Sequence, residues 1–340
     1  DRTVIVHDKQ WVSGMMKKLV VVTLALAVTA FVVLSAGARA QELAPSLQEK
    51  KIAPDVRQAL EVLPAGERLP VIVTFDEQAD LGQIKDATRA GRLERVVRTL
   101  QQTAKSTQLP IRAVLEAQRL VHEVDQVTYF WVFNGLSMTA PPEVIAEFAA
   151  RPEVRSITLD ETYPAPVLTR TPAESPLSES EPNLDLISAP ALWQLGLQGL
   201  GIVVASMDSG VSGSHPDLAD QWRGGTNSWF DPYGEHTDSP VDLSGHGTAT
   251  MGVMVGRDAG GTAIGVAPQA QWIAVKIFND AGGATTSAIH QGFQWLLDPD
   301  GDPVTPDAPH VVNNSWAIGN TECDLAFQLD LQALRAAGIV

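Results

Sequence analysis

Apolar residues between positions 41 and 163 switch between strand-like and helix-like spacing. The run Val71–Phe75 is rich in β-branched residues, which predicts a strand. Arg92–Val124 repeats apolar residues at helical spacing, and Pro110 within it predicts a kink or a split. The remaining predicted elements are a β-rich stretch, a helix and a strand: Thr128–Met138, Glu143–Ala150 and Val154–Leu159. This order predicts a small α+β domain of the ferredoxin-like kind, with helices packed on an antiparallel sheet.

Residues 164–182 show neither the strand-like nor the helix-like spacing of apolar residues. This segment holds five prolines together with Ser, Thr and Glu, and it has almost no large apolar residues. Such a composition cannot bury enough surface to order itself, which predicts an exposed linker. Exposed linkers are also where proteases cut, so a maturation site is expected here.

Short apolar runs alternate with helical segments in residues 183–340. The runs are Ile202–Met207, Trp272–Ile277 and Val311–Asn314, and the helical segments are Gly247–Gly256, Thr285–Leu297 and Leu325–Ala337. Strands buried on both faces read as continuous apolar runs rather than alternating ones. The pattern therefore predicts an α/β domain with a parallel sheet covered by helices on both faces.

A further apolar run lies near the start of the chain. Residues 15–40 combine Lys17 and Lys18, the apolar stretch Leu19–Leu34 and the sequence Ala38-Arg39-Ala40, which is typical of a cleavable signal peptide. The stretch is shorter than the roughly 20 residues of a usual membrane span. We expect a secreted, extracellular protein without a stable membrane anchor, and residues 1–14 are expected to lie upstream of the true start.

The charge and the cysteine content argue against several kinds of partner and of site. The chain has 24 basic and 40 acidic residues, a formal charge of −16, which argues against nucleic acid and anionic membrane surfaces as partners. Its single cysteine, Cys323, cannot form an internal disulfide framework or a cysteine-rich metal site, and is expected to be a small, partly buried apolar residue.

Two candidate catalytic residues stand at element ends in the second domain. Asp208 directly follows the predicted strand Ile202–Met207, and His246 opens the next helical segment between Gly245 and Gly247. Sites in parallel sheets form at the carboxyl ends of strands, and a nucleophile needs an imidazole base oriented by a carboxylate. Taken singly, an Asp after a strand is also typical of a turn or cap, and a lone His of a structural role.

Five blocks of residues surround and follow this pair: Val204–Val211 with His215–Leu218, Gly245–Thr248, Gly265–Pro268, Ala274–Lys276 and Asn313–Trp316. In sequence and in order these blocks resemble the subtilisin family of serine proteases, in particular its bacillopeptidase F-like branch. The order Asp before His agrees with subtilisins and differs from chymotrypsin-like enzymes. The resemblance implies a serine endopeptidase precursor with Asp208 as the triad aspartate and His246 as the general base. It also implies that residues 41–163 are a propeptide, an intramolecular inhibitor and folding chaperone.

The same resemblance implies where substrate binds. Ser315, Trp316 and Ala317 correspond to one wall of the cleft, and Gly282 and Gly283 to the opposite strand, so that protein or peptide substrates bind by strand addition. By composition alone, a plain turn is the alternative for the two glycines. No cofactor is required.

The resemblance also offers one candidate metal ligand. Asp217 matches a position that often binds calcium in the family, but the loop from Arg257 to Gly260 lacks the asparagine that usually completes that site. Calcium is therefore possible there, with Asp217 as a weak ligand, and a solvent-facing aspartate is the alternative.

The chain departs from the family at its end. The family's oxyanion asparagine (in Ala-Gly-Asn) and its nucleophile (in Gly-Thr-Ser-Met-Ala) have no counterpart in residues 1–340. We therefore expect the chain to be truncated and inactive as it stands. Two alternatives stay open: an inactive inhibitor or binding protein with a partial protease domain, and a dinucleotide-binding protein. The latter is suggested by Gly196, Gly199 and Gly201, which precede the strand that they should follow.

Overall fold

The computed structural model describes residues 50–120, 124–168, 179–319 and 324–340. The predicted signal peptide over residues 15–40, residues 1–14, most of the predicted linker and Cys323 lie outside these ranges.

Residues 50–164 contain an antiparallel sheet with helices. In chain order the elements are α1 (Pro54–Val62), β1 (Leu69–Phe75), α2 (Arg89–Leu120), β2 (Asp125–Phe130), β3 (Gly135–Ala140), α3 (Pro142–Ala150), β4 (Val154–Leu159) and β5 (Thr162–Pro164). Strands β1–β4 form one sheet in the order β2-β3-β1-β4, with β1 antiparallel to both neighbours. This is the strand order of a split βαβ unit, which confirms the predicted α+β class.

Both faces of this sheet are covered. Val71 and Val73 point into a core with residues of α2 and α3, including Leu115 and Phe148. Ile72, which lies between the two valines, belongs instead to a core shared with the second sheet. Since neighbouring strand residues face opposite sides, the second face of the sheet is buried against the rest of the protein.

Helix α2 begins at Arg89, three residues before the predicted start at Arg92. Pro110 lies inside it, and the helix continues through that residue, so the predicted split does not occur. Ile111 and Leu115 are fully buried just beyond Pro110. Their burial favours a continuous helix, because tertiary packing offsets the hydrogen bond that proline removes.

The second unit is built on a parallel sheet. Its elements are α4 (Pro182–Leu186), α5 (Ala189–Trp193), β6 (Val203–Asp208), β7 (Trp229–Phe230), α6 (His246–Val255), β8 (Gln271–Lys276), β9 (Gly283–Thr285), α7 (Thr286–Leu297), β10 (Val311–Asn313) and α8 (Gln328–Ala337). The sheet order is β10-β6-β8-β7, and every neighbouring pair is parallel. This confirms the predicted parallel α/β sheet.

Alternate residues of its central strands enter two different cores. Met207 and Val275 pack with α7 and α8 on one side. Val204 and Ala274 pack with Met251 of α6 on the other. The sheet is therefore covered by helices on both faces, as the continuous apolar runs predict.

The two units meet at a third sheet, which consists of the antiparallel strands β5 and β9. None of the helices in the described ranges is both long enough and apolar enough to cross a membrane.

Candidate active site

Asp208 and His246 are in direct contact. Asp208 is the last residue of β6 rather than the first residue after it, and His246 is the first residue of α6. The imidazole Nδ1 lies 2.8 Å from the carboxylate Oδ1 of Asp208. The Asp208 side chain is fully buried and that of His246 is 16% exposed, so the pair opens to solvent on the imidazole side.

Glycines allow the two elements to approach this closely. A Cβ on Gly247 would lie 2.1 Å from the carbonyl oxygen of Gly210, and one on Gly210 would lie 2.0 Å from the carbonyl oxygen of Val241. Gly245 has a φ of 84°, which L-residues rarely adopt, immediately before the helix begins. Side chains at these positions would push α6 away from β6 and separate the imidazole from its carboxylate.

Asp242 fixes the start of α6. Its Oδ2 accepts hydrogen bonds from the backbone N–H and the hydroxyl of Thr248, at 2.8 and 2.6 Å. Its Oδ1 accepts from the N–H groups of Ser244 and Gly245 and from the hydroxyl of Ser209. The carboxylate thus satisfies free N–H groups at the helix start and ties them to the residue after Asp208.

Opposing effects act on the pKa of the Asp208 carboxyl group. Burial raises its pKa, while hydrogen bonds from His246 and from the N–H of Ser209 lower it. The hydroxyl of Thr250 lies 3.4 Å from Oδ2. A carboxylate that accepts from Nδ1–H leaves Nε2 of the imidazole as the proton acceptor. The pair can therefore take a proton from a nucleophile placed near Nε2.

Gly282 and Gly283 lie at the edge that the sequence assigns to substrate. Lys276, buried at the end of β8, holds the preceding turn through its ammonium, which donates to the Phe278 carbonyl at 2.7 Å and pairs with Asp280 at 2.9 Å. In this structure the two glycines bind the chain's own backbone: Pro164 pairs with Gly283, and the N–H of Ala165 donates to the Gly282 carbonyl at 2.8 Å. Gly283 therefore begins a strand that accepts an added strand, while Gly282 closes the turn before it through its N–H, which donates to the Asn279 carbonyl at 2.9 Å.

Ser315, Trp316 and Ala317 follow the carboxyl end of β10, which is paired in parallel with β6. Ser315 Oγ accepts from Nδ2 of Asn313 at 2.9 Å, and the Trp316 ring packs edge-on against Phe327. Because parallel strands end at one edge of the sheet, this segment, Asp208 and the turn after β8 share that edge. The side chain of Asn313 therefore helps to fix the position of Ser315.

Asp217 contacts the loop that follows α6. Its Oδ1 accepts the N–H of Ala259 at 2.6 Å, and its carbonyl accepts the N–H of Arg257. Within the described residues, the carboxylates close enough to share a metal ion are Asp298, Asp300 and Asp307, and Asp217 is not among them.

Sequence reasoning missed Asp242 and Tyr163. A capping aspartate usually stands immediately before a helix, and Asp242 stands four residues before His246, so the sequence gives no clear signal for it. Tyr163 lies in a three-residue strand bounded by proline, which no periodicity reveals.

Comparisons with known proteins agree with the motifs. Residues 199–337 match the model of the subtilase family of S8 peptidases. Bacillopeptidase F of Bacillus subtilis is 36% identical over 265 residues, which cover 72% of this chain and 18% of that protein. The minor extracellular protease Vpr of the same species is 27% identical over 339 residues, covering 95% and 40%.

Solved structures include a keratinolytic subtilisin relative, fervidolysin from Fervidobacterium pennivorans, with a TM-score of 0.49 and 18% identity over 82% of this chain and 40% of that one. The chain spans less than half the length of each of these relatives.

Proposed function

We propose that the protein is a subtilase, because residues 199–337 match that family's model. We propose further that it hydrolyses peptide bonds by a serine mechanism in which His246 is the base for the nucleophile and Asp208 orients His246. The contact between His246 Nδ1 and Asp208 Oδ1 carries this proposal, because it lies at the carboxyl end of β6 within the matched region.

The proposed roles follow from the geometry. A serine hydroxyl attacks the carbonyl carbon of the substrate while Nε2 of His246 takes its proton. The same Nε2 then gives that proton to the leaving amine, and a water molecule releases the acyl group by the same route. Asp208 holds the tautomer and stabilises the imidazolium. Asp242 acts through His246 by fixing the start of α6.

Peptides or proteins are the proposed substrates. Gly282 and Gly283 present backbone groups that already accept a strand in this structure, and Ser315, Trp316 and Ala317 would form the opposite wall. Recognition through backbone hydrogen bonds favours extended segments of varied sequence.

We further propose that residues 41–163 act as an intramolecular inhibitor. Strand β5 closes this unit and occupies β9, the edge proposed for substrate. Residues 164–182 would contain the maturation site, after which residues 183–340 contribute the protease domain. Secretion is part of the proposal and rests on the predicted signal peptide at 15–40 and on the extracellular relative Vpr.

Labelling with a fluorophosphonate tests the mechanism. A protein in which this chain continues to a Gly-Thr-Ser-Met-Ala segment should be labelled, and His246→Ala should abolish the labelling. Labelling that survives His246→Ala would refute the assigned base. We propose that residues 1–340 alone lack the nucleophile, and a labelled 340-residue chain would contradict this.

The alternative function, a binding or inhibitor protein with a partial protease domain, is favoured by the same β5–β9 pairing. It predicts that purified residues 1–340 inhibit a mature relative added in trans. The protease proposal predicts cleavage of peptides by the extended protein.

A further inference from the structure

The 231–242 loop, which consists of residues 231–242 between β7 and the segment before α6, folds around the buried carboxylate of Asp231. Oδ1 of Asp231 accepts the N–H of Tyr233 at 2.9 Å, and Oδ2 accepts the N–H of His236 at 2.8 Å. The indole N–H of Trp229 donates to the carbonyl of His236 at 2.6 Å. These bonds fix the backbone of the loop, so the side chains that leave it have defined positions.

The hydroxyl of Tyr233 bonds to the backbone of β9. It accepts the N–H of Thr285 at 2.9 Å. Its proton is shared between the carbonyl oxygens of Ile277 and Gly283, at 3.1 and 3.3 Å. One hydroxyl therefore bonds to both ends of β9 and to the residue that follows β8.

Tyr233 lies on the side of β9 that is opposite to β5. The Gly282 carbonyl accepts an N–H from directly after β5, and the Thr286 N–H donates to the carbonyl directly before β5. Alternate residues of a strand direct their backbone groups to opposite sides, so Gly283 and Thr285 face away from β5. The Tyr233 hydroxyl therefore bonds β9 where a neighbouring strand would pair, and it leaves the other side of β9 to β5.

Glu235 and His236 hold the turn that leads into β9. Oε2 of Glu235 accepts the N–H of Asp280 at 2.9 Å and lies 3.3 Å from the ammonium of Lys276. Nε2 of His236 lies 3.0 Å from a carboxylate oxygen of Asp280. The hydrogen bond from Lys276, and after it the one from His236, lowers the pKa of Asp280, which keeps this carboxylate ionised and paired. The 231–242 loop thus fixes both the turn and the strand.

We propose that Tyr233 is a positioning residue for substrate, which holds β9 in the geometry that accepts an extended peptide. The inference rests on the proposed function, in which β5 leaves this edge and substrate takes its place. Among the described residues, β5 is the only strand paired with β9. A three-residue strand without a neighbour is not stable by itself. Once β5 has left, the Tyr233 hydroxyl keeps β9 ordered, which lowers the entropic cost of substrate binding.

The bonds of Tyr233 are separate from those that fix the catalytic pair. Its hydroxyl bonds to β9 and to the residue after β8, whereas Asp242 fixes the start of α6 and thereby His246. A change at Tyr233 should therefore impair the binding of substrates that pair along β9 more than it impairs proton transfer at His246.

Hydrogen exchange of the 340-residue chain, measured by NMR, tests the contact. Tyr233→Phe removes the acceptor of the Thr285 N–H, so this amide should exchange at least about fivefold faster than in the unmodified chain. The amides of β6 should keep their rates, which shows that the variant folds. Tyr129→Phe, at a tyrosine of β2, is the matched control and should leave the Thr285 rate unchanged. An unchanged Thr285 rate in Tyr233→Phe would overturn the proposal.

Peptides of two lengths test the effect on substrate in the extended protein. A chromogenic anilide of four residues can lie along β9, whereas a single-residue anilide with the same leaving group is too short to do so. Tyr233→Phe should lower kcat/KM for the long substrate at least about threefold more than for the short one, through a higher KM. Tyr129→Phe should leave the ratio of the two kcat/KM values unchanged.

The two possible failures are distinguishable. If the unmodified extended protein cleaves both substrates and Tyr233→Phe reduces both equally, Tyr233 does not position substrate. If the unmodified extended protein cleaves neither substrate, the proposed function itself is wrong, and this inference is refuted with it.

Discussion

Tyr163 of β5 lies directly opposite Ala284 of β9 in antiparallel register. The strand that closes the first unit therefore becomes an added strand of the second. Tyr163 is 7% exposed and belongs to the core shared by both units. Main-chain pairing and side-chain burial thus act at the same place, and changes there should report on how tightly the first unit is held.

Gly283→Ala should weaken this pairing. A Cβ at this position would lie 2.9 Å from Cγ2 of Thr162, so the two strands must separate slightly or the threonine must turn. We expect a loss of about 1 kcal/mol in the free energy of unfolding, measured with urea. Limited proteolysis of the 165–182 segment should become faster.

The contact between Gly283 and Thr162 also provides the control. Thr162→Ala removes the methyl group that clashes, so Gly283→Ala in that background should lose at least about 0.5 kcal/mol less than in the unmodified chain. Additive losses would mean that Gly283 does not act through its contact with β5.

Tyr163 should titrate at unusually high pH. Burial raises its pKa to about 12. A folded-state pKa above the unfolded value of about 10 means that this group's contribution to stability is complete below about pH 10. The contribution is lost as the pH rises through about 12. The phenolate absorbance should show one tyrosine that ionises near pH 12, together with alkaline loosening of the β5–β9 contact.

Tyr163→Phe should remove that component of the absorbance titration. Tyr129→Phe is the matched control, because Tyr129 lies in β2 and burial also raises its pKa. If the component near pH 12 persists in Tyr163→Phe, or vanishes in Tyr129→Phe, the assignment is wrong.

The sequence predicts the sheets well because their strands are buried. Val204–Met207 and Trp272–Val275 read as apolar runs since both faces are covered, and Val154–Leu159 matches β4 at both ends. Strands β5, β7 and β9 are only two or three residues long, and pairing rather than periodicity defines them. Pro110 predicts a helix break that the structure does not contain, because the burial of the residues after it outweighs its local effect.

The site is predictable only in part. Asp208 and His246 stand out through the motifs around them, and the 2.8 Å contact between them agrees with that prediction. Spacing in the sequence does not indicate that Tyr233 reaches β9, since the two are brought together by the fold and not by a local pattern. Only the folded arrangement places its hydroxyl between Gly283 and Thr285.

His290 and Asp330 form a buried pair where α7 meets α8. Nδ1 of His290 lies 2.9 Å from Oδ1 of Asp330, and the centroid of the imidazole ring lies 4.4 Å from that of the Phe133 ring of the first unit, with the rings tilted by 48°. Asp330→Asn keeps an acceptor oxygen, whereas Asp330→Leu leaves the imidazole N–H unsatisfied. We expect the Leu variant to lose about 1–3 kcal/mol more stability than the Asn variant in urea unfolding. Equal losses would show that the hydrogen bond contributes nothing.

Asp208→Asn should impair catalysis in the extended protein without changing substrate binding. An amide can donate to Nδ1 and thereby stabilise the wrong tautomer, which leaves Nε2 protonated and unable to accept a proton. We expect kcat to fall by about 10⁴-fold with KM within about threefold, measured on a chromogenic peptide. Asp185→Asn, remote from the pair, should leave both constants unchanged. A large rise in KM at constant kcat would argue that Asp208 serves binding instead.

Asp242→Ala should act through the position of His246. The change removes the acceptor for the N–H groups of Ser244, Gly245 and Thr248, and the cost of such a loss at a helix start is about 0.5–2 kcal/mol. Because α6 is then attached to Ser209 only through the Gly247 N–H, which donates to Ser209 Oγ at 2.9 Å, the imidazole should shift relative to Asp208. We expect kcat of the extended protein to fall while KM stays similar. Asp242→Asn, which keeps one acceptor oxygen, should restore part of kcat. Asp238→Ala in the same loop is the control, since among the described residues its carboxylate accepts only a 3.4 Å contact from the Thr237 hydroxyl. If Asp242→Ala lowers stability but leaves kcat intact, Asp242 is a structural cap and does not position the base.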